Sequence, residues 1–410
     1  MIKKEELVDI SRVRALKFVV LVGVVSLFAD MTYEGARGIT GPYLAVLGAS
    51  GTVVGIVAGF GELIGYAIRL GSGYLADRTG RYWEITIVGY VINLFAVPLL
   101  ALAGNWQAAA VLIILERAGK AIRTPARDAM LSHATQLTGR GWGFGLHEAL
   151  DQTGAMMGPL IVAAVLYYEG AYQTGFAILL IPAILAVTVL LVARALYPRP
   201  SELESIKQQL GTKGFQKSFW IYLAAVSCVA AGYADFPLLA YHFEKQKVLS
   251  AQWIPIFYGI AMGVDGVAAL LFGRWFDRKG IPIMVFAATL STLFAPLSFL
   301  GDFNVALAGV VLWGIGMGAQ ESIMRAAVAG LTPVERRGTA YGVFNTGFGI
   351  FWFLGSATMG WLYDFSISLL IAFSVVIQLI SIPLFLAVKL PALRLRVVGQ
   401  SKNGISIGNQ

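Results

Sequence analysis

The sequence predicts an all-α membrane protein of twelve transmembrane helices in two six-helix bundles. Of the 410 residues, 57% are hydrophobic and 13% are charged, whereas a soluble chain is about 25% charged. Apolar runs of the roughly 20 residues needed to cross a bilayer recur along the chain. The turn Gly-Tyr-Leu-Ala-Asp-Arg-Thr-Gly-Arg at 73–81 recurs in degenerate form at 273–280, again between two apolar runs. The chain is therefore expected to consist of two related halves.

The apolar runs define the predicted elements in order. The first half is predicted to hold helices at 17–46, 51–76, 82–103, 106–128, 141–168 and 172–197. The second is predicted to hold helices at 218–243, 252–276, 281–300, 304–330, 338–363 and 366–390. The remaining predicted segments are an N-terminal stretch (1–16), a polar linker between the bundles (198–217) and a basic tail (391–410).

Lysine and arginine are concentrated on alternate loops. They precede helix 1, fill the 2–3, 6–7, 8–9 and 10–11 loops, and surround the 4–5 loop as Lys120, Arg123 and Arg127, whereas Lys245 and Lys247 stand on the opposite side. Because such residues are retained in the cytoplasm, both termini are expected there, in a prokaryotic cytoplasmic membrane. The net charge of +8 reflects this asymmetry, so no nucleic-acid partner is expected.

The composition also limits the chemistry. A single cysteine, Cys228, provides neither an internal disulfide nor a metal site. The sequence has no Walker A loop and no dinucleotide fingerprint, which argues against an ATP-driven pump. We therefore expect no enzyme activity, no cofactor and no metal. The expected partners are a small-molecule substrate, protons and membrane lipid, and a monomer is expected.

Several motifs carry a family resemblance. The turn at 73–81 resembles the signature loop of the major facilitator superfamily, and residues 140–145 and 337–342 both begin Arg-Gly before corresponding helices. Gly145, Gly154, Gly158 and Pro159 are spaced as in the helix-5 motif of the drug/proton antiporters, although Val162 stands where that motif has another glycine. The run at 119–128 resembles a poorly characterised prokaryotic subgroup.

The resemblance implies a secondary transporter that works by alternating access, with proton-coupled export as the first interpretation. The alternatives are proton-coupled or facilitated uptake of a small polar solute or metal chelate, and a non-transporting membrane receptor. The substrate itself is not specified by the sequence.

The signature turn predicts a conformational latch. Its glycines allow two helix ends to approach closely, and Asp77 can face the positive N-terminal end of helix 11. The arginines can pair with acidic groups or lipid phosphate. The alternative is a basic loop that only fixes topology. The predicted latch residues are Gly73, Asp77, Arg78, Gly80, Arg81, Asp277 and Arg278.

Ionisable residues inside predicted spans are costly unless they face a cavity or a partner. In helix 1, Asp30, Glu34 and Arg37 share one face; Glu34 is expected to pair with Arg37, which leaves Asp30 as the first choice for proton carrier and Asp151 as the second. The alternative is a set of structural ion pairs, and Gly154 and Gly158 are expected to pack where the halves meet. The predicted coupling or substrate residues are Asp30, Glu34, Arg37, His147, Glu148, Asp151, Asp235, Glu321 and Arg325.

Overall fold

The computed structural model describes residues 4–138, 140–198, 215–324, 327–328, 331–332 and 337–388. Twelve helical spans, without a strand, make up this part of the chain. In the first half, the helices are α1 (Lys4–Val46), α2 (Gly51–Thr79), α3 (Tyr82–Leu99, extended by the 3-10 turn Leu100–Leu102), α4 (Trp106–Thr138), α5 (Arg140–Glu169) and α6 (Tyr172–Ile178 and Leu180–Leu196). In the second half, they are α7 (Lys217–Gly232 and Phe236–Lys245), α8 (Trp253–Lys279), α9 (Ile281–Ser291 and Phe294–Leu300), α10 (Phe303–Ala319, followed by the π-helical turn Gln320–Met324), α11 (Arg337–Phe365) and α12 (Ile367–Ala387).

The predicted fold class is confirmed. Ten of these spans are long and apolar enough to cross a membrane. The other two, α4 and α11, have 33 and 29 residues, which is also sufficient for a bilayer of about 30 Å. Charged residues set α4 apart, because it carries Glu116, Arg117, Lys120 and Arg123 within two turns.

Several boundaries differ from the expected ones. Helix α4 extends to Thr138 rather than 128, so Lys120, Arg123 and Arg127 lie well before its end rather than close to the 4–5 loop. Helix α7 was expected to be continuous but is interrupted at residues 233–235, because Pro237 has no N–H to continue the ladder and is favoured in a first helical turn. The predicted linker falls largely on residues outside those described, so the domain boundaries stay a prediction.

In the part of the chain that the structure describes, the two halves pack closely at one end of the molecule only. We call the end with the 79–82 and 279–281 loops the signature end, and the opposite one the far end. Near the far end, a Cβ on Gly55 of α2 would overlap the Ser356 carbonyl of α11, and one on Gly41 of α1 would overlap the Pro237 carbonyl of α7. Toward the signature end, on the same face of α11, a Cβ on Gly342 would have only Leu70 of α2 within 4 Å, at 3.9 Å. The halves thus separate toward the signature end.

Hydrogen bonds between the halves also lie at the far end. Asp364 of α11 accepts hydrogen bonds from the backbone N–H groups of Gly51 at 2.8 Å and Thr52 at 2.7 Å, at the start of α2. The hydroxyl of Tyr172 in α6 donates to Glu244 in α7 at 2.7 Å. Together with the close helix packing, these bonds close the far end.

Candidate substrate cavity

A cavity of about 520 Å³ lies between the halves. Helices α1, α2, α4 and α5 form one wall, which we call the N-wall, and α8, α10 and α11 form the other, the C-wall. The volume is within the range of about 300–1,000 Å³ typical of small-molecule sites. Six cations and six carboxylates line the N-wall: Arg37, Arg69, Arg117, Lys120, Arg123, Arg127, Asp30, Glu34, Glu62, Asp128, Glu148 and Asp151.

Arg37 joins the two halves at the far-end limit of the cavity. Its Nη2 atom lies 2.9 Å from Oδ1 of Asp235, in the interruption of α7, and 3.3 Å from Oε1 of Glu62. Its Nη1 atom lies 3.9 Å from Glu34. The predicted Glu34–Arg37 pair is thus present, but the shorter ion pair crosses between the halves. Because Arg37 and Asp235 are 9% and 2% exposed, little water screens this interaction.

The two helix-1 carboxylates have different surroundings. Glu34 accepts a hydrogen bond from the Tyr258 hydroxyl of α8 and lies 3.5 Å from Nζ of Lys120. Asp30 accepts a hydrogen bond from the Tyr33 hydroxyl, and among the described residues no lysine or arginine nitrogen lies within ion-pair distance of it. Glu34 therefore has an ion-pair partner, whereas the cations that act on Asp30, Lys120 and Arg123, lie beyond ion-pair distance.

Helix α5 places a second carboxylate beside Asp30. A Cβ on Gly154 would lie 3.1 Å from Cβ of Asp30, and Asp151 is one turn earlier. Oδ2 of Asp151 is 3.7 Å from Nδ1 of His147, while its Oδ1 has no hydrogen-bond partner. Nε2 of His147 lies 2.9 Å from Oγ of Ser26. Both carboxylates line the cavity, and among the described carboxylates Asp151 acts most strongly on the charge of Asp30.

The glycine face of α5 packs inside the first half. Cβ atoms on Gly154 and Gly158 would overlap the carbonyl oxygens of Leu27 and Met31 in α1. This differs from the expected packing between halves, which instead involves the opposite face of α5, where Gln152 lies beside Gly266 of α8. Pro159 lies within α5, which continues through it. The surroundings of Gly145 are outside the described part of the chain.

The basic face of α4 contains cavity-lining residues that were not among the predicted site residues. Lys120, Arg123 and Arg127 line the cavity, and their i, i+3, i+7 spacing was the signal that could have placed them there. Nη2 of Arg127 pairs with Asp128 at 2.8 Å. Arg123 is 1% exposed, its guanidinium lies 4.2 Å from the centre of the Tyr90 ring, and its Nε and Nη1 atoms have no hydrogen-bond partner.

The C-wall has a different character. It contributes two carboxylates, Asp265 and Glu321, and no lysine or arginine among its described residues; Arg325 lies outside them. Asp265 is 2% exposed and its Oδ1 has no hydrogen-bond partner. An acid in the middle of the apolar part of α8 was the sequence signal for it, but it was not among the predicted site residues. Phe344, Phe348 and Trp352 also line this wall.

The signature turn is exposed at its end of the molecule. Asp77 accepts a hydrogen bond from the Tyr82 hydroxyl of α3 at 3.1 Å. Gly80 has a φ of 68° and ends α2, a backbone conformation that favours glycine. A Cβ on Gly73 would contact Pro125 of α4 at 3.3 Å. The exposed side chains of this turn and its second copy are Asp77, Arg78, Arg81, Asp277 and Arg278. The latch stays a prediction.

Comparisons with known proteins agree with this architecture. The family model of the Major Facilitator Superfamily matches residues 22–356 and 236–405. An uncharacterized protein of Mycobacterium tuberculosis is 42% identical over 384 residues, which are 92% of this chain and 94% of that protein. An uncharacterized MFS-type transporter of Methanocaldococcus jannaschii is 26% identical over 375 residues (89% and 93%). The multidrug resistance protein MdtH of Photorhabdus laumondii is 22% identical over 327 residues (78% and 80%).

Solved structures show the same fold at low sequence identity. A mutant of the nucleoside transporter NupG matches with a TM-score of 0.72 and 15% identity, over 90% of this chain and 100% of that one. A bacterial homologue of the human lysosomal transporter Spinster matches with a TM-score of 0.70 and 14% identity, over 92% and 96%. With its twelve spans, its repeated signature turn and a central cavity between two halves, the chain belongs to the major facilitator superfamily and is an integral membrane secondary transporter.

Proposed function

We propose that this transporter exports a small solute in exchange for protons, and that Asp30 carries the proton. The observation that carries the proposal is the pair of acids Asp30 and Asp151 in the wall of the cavity, neither of which has a described lysine or arginine within ion-pair distance. Asp30 is 7% exposed and has a hydroxyl partner, whereas Glu34, one turn away, has Lys120 at 3.5 Å. Two carboxylates that repel each other in a space with little water are less costly when one of them is protonated.

Orientation and alternating access complete the proposal. With both termini in the cytoplasm, as the distribution of lysine and arginine predicts, the signature end faces the cytoplasm and the cavity of this conformation admits solute from there. Rocking of the halves would then break the far-end contacts and open the cavity outward. The similarity to MdtH, which is named a multidrug resistance protein, and the helix-5 resemblance support export over uptake.

Proton flux in proteoliposomes tests this function. Solutes from a chemically diverse panel are added outside vesicles that contain the purified protein and a pH-sensitive dye. Exchange predicts that the interior becomes alkaline as solute enters, because protons leave; symport predicts acidification, and facilitated transport predicts no change. Acidification or no change for a transported solute contradicts exchange.

Cysteine labelling tests the orientation separately. With Cys228 replaced by serine, a cysteine at Ser250 is expected to react with an impermeant maleimide from outside intact cells. A cysteine at Ser205, which lies outside the described residues, is expected to react only after the membrane is opened. Labelling of both from one side contradicts the predicted topology.

A further inference from the structure

Arg123 has unused hydrogen-bonding capacity that faces the cavity. It is 1% exposed, and its Nε and Nη1 atoms have no hydrogen-bond partner among the described residues. The Tyr90 ring, 4.2 Å away, favours the positive charge but does not replace a carboxylate as acceptor. Arg37, by contrast, has Asp235 at 2.9 Å, and Arg117 has Glu62 at 3.2 Å.

Leaving buried charged donors unsatisfied is costly, so a partner from outside the protein is the natural acceptor. An arginine presents its N–H groups in a planar fork that matches the two oxygens of a carboxylate or phosphate. The α4 face therefore provides a site for an anionic group.

The C-wall has the complementary gap. Asp265 is 2% exposed and lines the cavity, and its Oδ1 has no hydrogen-bond partner. The charged groups that act on it are other carboxylates, among them Glu321 and Glu148. No described lysine or arginine of α8, α10 or α11 lines the cavity. This side of the cavity is therefore suited to a cationic group.

Neutral groups on the C-wall complete the lining. Oε1 of Gln320 and Nε1 of Trp352 are buried and have no hydrogen-bond partner, and the Trp352 ring lies 5.4 Å from that of Phe348. These groups suit the body of a small molecule with some polar character.

We propose that the cavity binds a zwitterionic solute, with its anionic group at Arg123 and its cationic group at Asp265. The proposal rests on the proposed transport function, because it names the class of solute that the cavity carries. A bipolar solute contacts both walls at once, whereas a singly charged one satisfies only one of them. Binding of the zwitterion thereby draws the two halves together around it.

Thermal stabilisation of the purified protein in detergent tests the proposal. The probes are matched triplets on alkyl, aromatic and dipeptide frameworks: an amino carboxylate, its N-acetyl anion and its carboxamide cation. In each framework that binds, the zwitterion is expected to bind most tightly. Arg123→Gln is expected to weaken zwitterion and anion binding by about 10- to 100-fold and to leave cation binding unchanged. Asp265→Asn is expected to weaken zwitterion and cation binding similarly and to leave anion binding unchanged.

Matched controls keep the test decisive. Arg194→Gln and Glu84→Gln remove single charges of an exposed ion pair of 3.6 Å, and neither is expected to change binding. If Arg123→Gln gives no cooperative melting transition, Arg123→Lys, which retains the charge without the fork, is expected to weaken anion and zwitterion binding selectively. Three results would each overturn the proposal. The singly charged members could bind more tightly than the zwitterion, no zwitterion could stabilise the protein, or a variant could lose the same affinity for all three members.

The two proposals fail in different ways. Binding in detergent requires no proton gradient, so an absence of proton flux would overturn the transport proposal and leave the zwitterion site standing. Proton exchange that is driven only by singly charged solutes would overturn the zwitterion site and leave the transport proposal standing.

Discussion

The two halves of the molecule share a helix arrangement and a signature turn, but they line the cavity with different chemistry. Among the described residues, the N-wall carries six cations and six carboxylates. Most of them are in ion pairs, but Asp30, Arg69 and Arg123 are among the exceptions. The described C-wall carries Asp265 and Glu321 among aromatic and amide side chains. Related halves can therefore take on separate roles. The N-wall has the groups for proton coupling and for an anionic group of the solute, and the C-wall has those for a cationic group and for the body of the solute.

Neutralising Asp30 is the strongest test of this division. Asp30→Asn is expected to abolish transport driven by a pH gradient, because the carboxylate that would bind and release the proton is gone. Counterflow exchange of the tightest-binding panel compound should persist, since it needs no net proton movement. Both rates are measured in proteoliposomes, with Glu84→Gln as the surface control. Gradient-driven transport by both Asp30→Asn and Asp151→Asn would remove the assignment of coupling to this pair.

The ion pair between the walls is the next most sensitive point. Removing one member of a buried pair costs about 3–5 kcal/mol. Arg37 keeps Glu62 at 3.3 Å and Glu34 at 3.9 Å, so Asp235→Asn is expected to destabilise the closed far end by about 3 kcal/mol, roughly a 100-fold shift toward the open form.

A cysteine at Thr40, which is buried near the far end at 7% exposure, reports this shift. In a background with Cys228→Ser, an impermeant maleimide is expected to react with it much faster when Asp235→Asn is present. Glu84→Gln should leave the rate unchanged. An unaltered rate in Asp235→Asn would mean that other far-end contacts hold the halves together without this pair.

The fold was predictable because its determinants are local. Each span needs only a long apolar run, and the repeated turn at 73–81 and 273–280 identifies the two halves without any knowledge of their packing. The predicted helix-1 face was also local, since Asp30, Glu34 and Arg37 follow helical spacing. The interruption of α7 before Pro237 was in principle predictable, but a proline near a helix start and one within a kinked helix look alike in sequence.

The site was less predictable because its members come from different helices. The α4 cations Lys120, Arg123 and Arg127 were predicted in the last turns of a helix ending at 128 and were interpreted only as positive charges that flank the 4–5 loop, since charged residues at the end of a span resemble the basic loop that follows it. Only tertiary packing shows that Arg123 lacks an acceptor. It also shows that the nearest ion-pair partner of Arg37 is Asp235, which lies 198 positions later in the chain. Spacing along one chain contains no such information.

The separation of the halves toward the signature end predicts unequal effects along the contact between α2 and α11. Gly55→Ala would push a methyl group into the Ser356 carbonyl of α11 and is expected to destabilise this conformation by about 1–3 kcal/mol. Gly342→Ala, where the added carbon would have only Leu70 within 4 Å, at 3.9 Å, is expected to be neutral or slightly stabilising, because alanine favours helix. Thermal unfolding of the two variants measures the difference. Equal destabilisation would contradict the observed separation.

The smallest expected effect distinguishes the two copies of the signature turn. In this conformation Asp77 is exposed and bonded to Tyr82, so Asp77→Asn should leave the stability of this form unchanged. If Asp77 faces the start of α11 when the signature end closes, losing the charge–dipole attraction of about 0.3–2 kcal/mol slows transport by about 2- to 30-fold. It also shifts the population toward the form seen here, so the Thr40→Cys cysteine should label more slowly, opposite to the effect of Asp235→Asn. Asp277→Asn should do less, because Ile281 stands where the first copy has Arg81. Equal losses of transport in the two variants would show that the two turns act alike. Faster labelling in Asp77→Asn would show that Asp77 does not hold the signature end closed.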